Sequence, residues 1–260
     1  MPATPAWPPK SAPRLFVADP LRPGVHVMIE GPQAHYLSRV MRVVAGDPVV
    51  LCDDVTGEWA ARVVEAGKRS VALETIEMLR ERETVPEIWL CPALIKKDRF
   101  DLVLEKATEL GVARIAPVVT RRCVADKLNP ERARAIVTEA AEQCARTALP
   151  ELAAPVKLDA LLADWPIDRR LYFADENGGA PLAPAIAAAG SQRAGFLVGP
   201  EGGFDDQERA AIRALPQAVP ISLGPRILRA ETAALAALAI WMAEAGDWRD
   251  REEAGGRGKE

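Results

Sequence analysis

Three things are scarce in this 260-residue chain: cysteine, long apolar stretches and an excess of either charge. The four cysteines, Cys52, Cys91, Cys123 and Cys144, stand far apart with no CxxC pair. That spacing excludes a disulfide framework and gives no tetrahedral zinc set, and it fits a reducing compartment. No cluster of metal-ligating residues is present, so no metal is expected. No apolar run is long enough to span a bilayer, and no membrane partner is expected. The first residues, MPATPAWPPKSAPR, place proline where a signal peptide carries its apolar core, so the expected location is the cytoplasm. The net charge is only -4, from 33 basic and 37 acidic side chains, which by itself points to no polyanion. The charges are unevenly spread, however, and residues 94–134 hold 10 basic against 6 acidic groups. A nucleic-acid contact is therefore possible only through a local patch.

What the chain does contain is ordinary globular material, with 49% hydrophobic and 27% charged residues, arranged in two contrasting patterns. Residues 1–13 are Pro/Ala-rich and read as a flexible arm. Residues 14–80 carry short apolar runs (25–29, 47–53, 58–66 and 70–78) separated by Gly, Pro and Asp, the pattern of a small barrel or sandwich. One helix is predicted within them at 31–43. Residues 79–87 read as a linker.

Beyond it, buried strands are predicted at 87–94, 113–119, 169–174, 194–199 and 218–224. They alternate with helices: one carrying Phe100, Val103, Leu104, Ala107 and Leu110 and stopped by Gly111, then 131–147, 206–214 and 231–245. The 206–214 helix has a capping box, with Asp205 as N-cap and Glu208 three residues on. Alternation of this kind implies a parallel sheet covered on both faces. Residues 247–260 read as a polar tail, and no internal repeat is visible.

Two glycine-containing loops carry the chemistry. FLVGPEGGFDDQE (196–208) runs from strand through Gly-Pro-Glu-Gly-Gly into the capped helix, and ISLGPRILRAETAALAAL (221–238) repeats the strand–loop–helix order. The spacing of the first matches neither GxGxxG nor GxxxxGK, so a phosphate-cradle reading of it is unsupported. Each alone is also explained as a tight turn. Together, at the carboxyl edge of one parallel sheet, they can enclose a small molecule with backbone and apolar contacts.

LVGPEGG followed by LGPRILRAETA resembles the 16S ribosomal RNA uridine N3-methyltransferases, the small-subunit methyltransferase E family of the α/β-knot (SPOUT) superfamily. Further matches are PRLFVADPL (13–21), HYLSRVMRV (35–43), KATELGVARIAPVVTRRCV (106–124) and AAEQCARTALPEL (140–152). The resemblance implies an α/β fold: a trefoil-knotted parallel-sheet methyltransferase domain over 85–246, preceded by a small PUA-like β-barrel over 14–80 that binds RNA. It implies S-adenosyl-L-methionine as cofactor and S-adenosyl-L-homocysteine as product.

By the family motif, Val198, Gly199, Pro200, Glu201 and Gly202 form one cofactor wall. Leu223, Gly224, Ile227, Leu228, Arg229, Glu231, Thr232 and Ala233 form the other, with Phe173 and Ala174 as neighbours. Arg229 and Glu231 are the catalytic candidates, although a salt bridge between them that only fixes the loop explains them equally well. Arg14, His35, Arg39, Arg42, Lys96, Arg99, Arg122 and Arg146, with Tyr36, Lys97 and Arg121 beside them, are the RNA-contacting candidates; for each singly, a solvated surface is the simpler reading.

The implied partners are 16S rRNA or the assembled small subunit, and a second copy of the chain. Leu235, Leu238, Trp241 and Met242 are either core or part of that dimer contact. Thr147 stands where the family commonly has Asn. The alternatives are an α/β-knot enzyme acting on tRNA or on a ribose 2′-hydroxyl, and a non-catalytic RNA-binding assembly factor.

Overall fold

The structure is a computed structural model that describes residues 7–175, 178–189 and 193–249. The first half of the expected arm and nearly all of the expected tail therefore lie outside the described residues. The chain divides into two compact units: residues up to Thr84 with Ala141–Leu149, and Val85–Ala140 with Pro150 onward.

In the first unit, strands β1 (Arg14–Phe16), β2 (His26–Glu30), β3 (Pro48–Asp53), β4 (Gly57–Ala66) and β5 (Ser70–Glu81) form one sheet in the order β1-β3-β4-β5-β2. It is a curled sheet rather than a closed ring, since β1 and β2 remain as edges. The curl has a local cause: the β4–β5 register shifts at three places, each an irregularity that bends and twists the pair. Leu15, Leu37, Leu51, Trp59, Val63, Val71 and Leu73 fill its concave side. The predicted 31–43 helix is instead a short α1 (Gly31–His35) followed by a wide π-helical turn, Tyr36–Met41. Arg42 ends that turn in the left-handed region (φ 55).

Asp53 builds the β3–β4 corner. Its carboxylate accepts from the amides of Leu21, Val55, Thr56 and Gly57 and from the Thr56 hydroxyl. Burial works against that charge, but the bonds from Thr56, Leu21 and Val55 outweigh it and hold the carboxyl below the usual aspartate range.

The second unit opens with β6 (Ile88–Pro92) and α2 (Lys97–Glu109), then β7 (Arg114–Ile115), β8 (Val118–Val119) and α3 (Pro130–Cys144). It continues with β9 (Glu151–Leu152), β10 (Val156–Lys157), α4 (Leu158–Ala163), β11 (Arg170–Ala174), β12 (Ala180–Pro181) and α5 (Leu182–Ala189). It closes with β13 (Ala194–Val198), α6 (Asp206–Ala214), β14 (Ala218–Ser222) and α7 (Ala230–Glu244). Seven strands form a parallel sheet in the order β12-β14-β11-β13-β6-β7-β9.

Period-two alternation sorts the strand residues between two cores. Ile88, Leu90, Tyr172, Phe196, Val198 and Ile221 pack with α2, α5 and α7. Cys91, Leu171, Phe173 and Leu197 pack on the other face with Leu158, Phe204 and Ile212 of α4, α6 and the loop before it. Gly111 adopts φ +86 just past α2, and the Asp205–Glu208 capping box opens α6 as expected. The helix predicted at 131–147 stops three residues early, because Ala145 turns left-handed (φ 62) and the Arg146 amide bonds back to the Ala141 carbonyl. The sequence reading missed α4 and α5, which are short; five of the eight residues of α5 are alanine.

One crossing decides the shape of this sheet. β11 and β12 flank β14 on opposite sides, so the chain between Ala174 and Ala180 must cross it. Gly179 makes the crossing possible: a Cβ there would lie 2.6 Å from backbone atoms of Pro220 and Ile221. The crossing runs on the α6 face, where Arg213 of α6 donates to the Asp175 carboxylate and the Gly178 carbonyl. α5 then packs on the α7 face before the chain returns to β13. Among the described residues, β14 thus lies between the crossing on one face and α5 on the other, the arrangement that a trefoil-knotted domain requires. Such an arrangement is rare, and no local sequence pattern announces it.

Candidate active site

Because the central strands are parallel, their carboxyl ends lie at one edge. The turns after Ala174, Val198 and Ser222 therefore meet there. Between them is a cavity of about 290 Å³. Its apolar walls are Ala174, Val198, Phe204, Ile221, Leu223, Leu228, Ala230 and Ala233; Gly178, Gly179, Gly199, Pro200, Gly203 and Gly224 bring backbone to its surface. Asp175, Glu201, Arg209 and Arg226 add charge, and Ser222 adds a hydroxyl. Gly224 adopts φ +111, which an L side chain tolerates poorly, and it lets the second loop turn away from β14.

Ten of the residues expected in the cofactor walls line this cavity: Ala174, Val198, Gly199, Pro200, Glu201, Leu223, Gly224, Ile227, Leu228 and Ala233. Five do not. Phe173 alternates away from Ala174 and is fully buried in the α4/α6 core. Gly202 faces outward against the Arg122 stem. Arg229, Glu231 and Thr232 line a separate groove between α2 and α7, with Arg99, Leu102, Lys106, Leu110, Leu235, Ala236 and Ala239. The helical repeat explains the split: Ala230 and Ala233, three apart, face the cavity, whereas Arg229, Thr232 and Leu235 face the groove. The sequence reading missed the third loop. Its signal was the Gly178-Gly179 pair soon after a predicted strand, the same feature that marked the other two.

The ion pair expected between Arg229 and Glu231 is replaced by another. Glu231, nearly buried, lies 3.4 Å from Arg99 of α2, while Arg229 is exposed at the N-cap of α7. Leu238, Trp241 and Met242 belong to the core, and Leu235 belongs to the groove.

The first loop is braced from outside. Arg122 donates to the Gly202 carbonyl at 2.7 Å, and the Arg121 amide donates to Glu208 at 2.7 Å. The Arg121 guanidinium meets Asp205 at 2.9 Å. The Glu208 amide, first among the causes, and Arg121 hold the Asp205 carboxyl below its ordinary value.

The RNA-contacting candidates fall into three groups. His35, Arg39 and Arg42 are exposed around the π-helical turn, with Val40, Met41 and Val44 exposed beside them, and Tyr36 is half-buried. Lys96 and Lys97 are exposed at the start of α2. Arg14 and Arg146 are turned inward: Arg14 binds Glu58 at 2.5 Å, and Arg146, buried, faces Glu83 at 3.4 Å. Burial pushes the Arg146 pKa down, with Glu83 acting in the opposite direction. Thr147, in the family's Asn position, is also structural. Its buried hydroxyl accepts from the Glu83 amide at 2.8 Å and donates to the Glu81 carbonyl at 3.3 Å.

Known proteins match both parts of the chain. The family model described as an RNA methyltransferase domain matches residues 81–242, and that of the RNA methyltransferase PUA domain matches residues 29–76. Ribosomal RNA small subunit methyltransferase E of Rickettsia conorii is 31% identical over 208 residues, covering 79% of this chain and 84% of its own length. The protein of the same name from Synechocystis is 33% identical over 235 residues, covering 87% and 76%. The crystal structure of ribosomal RNA small subunit methyltransferase E from Neisseria gonorrhoeae bound to S-adenosyl methionine superposes with a TM-score of 0.82 at 29% identity, covering 89% of this chain and 97% of that one. Fold and loop-walled cavity define the class, a parallel-sheet RNA methyltransferase preceded by a PUA domain. Within that class, the chain belongs to the ribosomal RNA small subunit methyltransferase E family.

Proposed function

We propose that this chain transfers the methyl group of S-adenosyl-L-methionine to N3 of a uridine in 16S rRNA and releases S-adenosyl-L-homocysteine. The observation that carries the reading is the cavity walled by three loops at the carboxyl edge, with an exposed arginine, Arg229, beside its wall. The cavity suits the cofactor in kind: aliphatic walls for an adenine ring, loop backbone for its polar edge, and Glu201 and Arg226 for the amino-acid end. The cofactor supplies a methyl group already activated on sulfur.

The protein's own task is alignment and charge. Val198, Ile221, Leu223 and Leu228 clamp the cofactor, leaving the acceptor nitrogen to be brought in line with the sulfur–methyl bond. Uridine N3 is a poor nucleophile until its proton leaves. Arg229, exposed beside the cavity, faces the uracil oxygens, where the resulting negative charge gathers, and stabilises it. Glu231 is engaged with Arg99, which suits fixing the first turn of α7 better than accepting that proton.

His35, Arg39 and Arg42 in the first unit and Lys96 and Lys97 in the second supply phosphate and base contacts. Arg14 and Arg146 are excluded from that role by their inward ion pairs. The first unit, residues 14–80 in the sequence reading, is the RNA-binding domain, and 85–246 is the catalytic one. A second copy of the chain seats on the α2/α7 groove, where Leu102, Leu110, Leu235, Ala236 and Ala239 form an apolar strip among the charged Arg99, Lys106, Glu109 and Glu231. No helix among the described residues is long and apolar enough to cross a membrane, and the proposed site of action is the cytoplasm, where ribosomes assemble.

The test uses small ribosomal subunits from cells lacking this protein, incubated with it and with methyl-labelled S-adenosylmethionine. Digested RNA is expected to yield labelled N3-methyluridine. A different labelled nucleoside overturns the target, and no label together with no cofactor binding overturns the enzyme.

A further inference from the structure

One buried charged group in the second unit has no part in the proposed transfer step. The Asp175 side chain is 0% exposed, yet it sits where β11 hands over to the crossing above β14. Arg209 donates to one of its carboxylate oxygens, and Arg213 donates to the other at 2.6 Å. Spaced four apart, the two arginines lie on one face of α6. Each also reaches a backbone carbonyl: Arg209 that of Phe204 at 3.2 Å, Arg213 that of Gly178 at 3.4 Å. Arg213 further lies over the Phe173 ring, 5.8 Å from its centroid.

These bonds join three pieces of chain, all of which line the cavity: the crossing (Asp175, Gly178 and Gly179), the end of the first glycine loop (Phe204) and α6 itself (Arg209). Gly178 and Gly179 have no side chains to pack, and β12 pairs with β14 over two residues only. A buried carboxylate facing two guanidinium groups in low dielectric is costly to pull apart, since separation strands unpaired charge. Arg213 touches the cluster without lining the cavity, so it can act on a ligand only through the other two.

We infer that Asp175, Arg209 and Arg213 form a positioning cluster that fixes the cavity wall at the crossing and so sets the affinity for the nucleoside portion of the cofactor. The inference rests on the proposed cofactor reading. It predicts a loss shared equally by S-adenosylmethionine, S-adenosylhomocysteine and adenosine, because positioning of a wall does not discriminate at the sulfur or the carboxylate.

The experiment measures binding of all three ligands by calorimetry, and kcat and both KM values, for the full-length protein and for Arg213→Met, Arg209→Met, Asp175→Asn and Asp175→Glu. Arg213→Met is expected to weaken all three ligands about tenfold, a loss of about 1.4 kcal/mol. The KM for cofactor rises with it, while kcat at saturating cofactor and the KM for RNA stay within about twofold of the parent. Asp175→Glu, which keeps the charge, restores more affinity than Asp175→Asn. Should Asp175→Asn fail to fold, the two arginine variants still decide. Unchanged affinity in both arginine variants overturns the inference. A loss confined to the two ligands that carry a carboxylate overturns it too, in favour of direct contact with that group. Absence of binding by the parent protein instead overturns the cofactor reading on which the inference rests.

Discussion

The two sides of the segment from Arg226 to Ala233 are built of different materials. Toward the cavity it presents Leu228, Ala230 and Ala233, and toward the groove Arg229, Glu231 and Thr232. On the cavity side the segment's one charge, Arg226, stands among apolar groups and backbone; the other side carries Arg229 and Glu231 and is linked to α2 through Arg99. The difference teaches that a single strand-to-helix turn separates two tasks of a transferase. On the proposed reading, holding the cofactor depends on shape, and activating the acceptor depends on charge. Placing both on adjacent residues keeps them within reach of one another without mixing their environments.

The comparison breaks most visibly at Arg229. Arg229→Ala is expected to lower kcat about a hundredfold, the cost of removing a charge-stabilising donor, while cofactor affinity stays within about twofold. Equal loss of both would place Arg229 in the cofactor wall and erase the division. The reciprocal change is Gly224→Ala. An alanine forced to φ +111 costs about 1–2 kcal/mol, so cofactor affinity should fall about tenfold, with kcat at saturation nearly kept. Calorimetry alongside steady-state kinetics separates the two.

A finer probe is Arg99→Met. Without its partner, Glu231 loosens the first turn of α7 on the groove side only, so kcat should fall by a few-fold and cofactor affinity should hold. A titration with salt sharpens the contrast without mutation: KM for RNA should climb steeply between low and physiological ionic strength, whereas cofactor binding should hardly move. A small acid effect belongs to the first unit. Asp53 has a lowered folded-state pKa, so its stabilising contribution is complete above the ordinary aspartate range and is lost as the pH falls through and below it. Asp53→Asn should therefore flatten the acid limb of that unit's unfolding, followed through Trp59 fluorescence.

Much of this was legible in the sequence. Strand and helix alternation gave the parallel sheet, and the Asp205–Glu208 pair marked the start of α6 to the residue, because capping is a local interaction between neighbours in the chain. Ten of fifteen expected wall residues line the cavity, since the loops that hold them follow strands whose direction the alternation already sets. What stayed hidden is what depends on partners distant in sequence. Arg14 and Arg146 look like any surface arginine until Glu58 and Glu83 are found beside them. Thr147 looks like a lost functional group until its hydroxyl is seen stitching Glu81 to Glu83. The π-helical turn at Tyr36–Met41 has the apolar spacing of an ordinary helix, and only its extra width distinguishes it.

The order of the cavity's walls along the chain has a consequence for how the protein comes into being. The second glycine loop and α7 follow β14, so they are the last part of the cavity to leave the ribosome. Until they have packed beside β14, two of the three walls stand without the third. On the proposed cofactor reading, a nascent molecule therefore lacks part of the place that keeps a methyl donor, and cofactor capture marks a molecule whose last helix is in place.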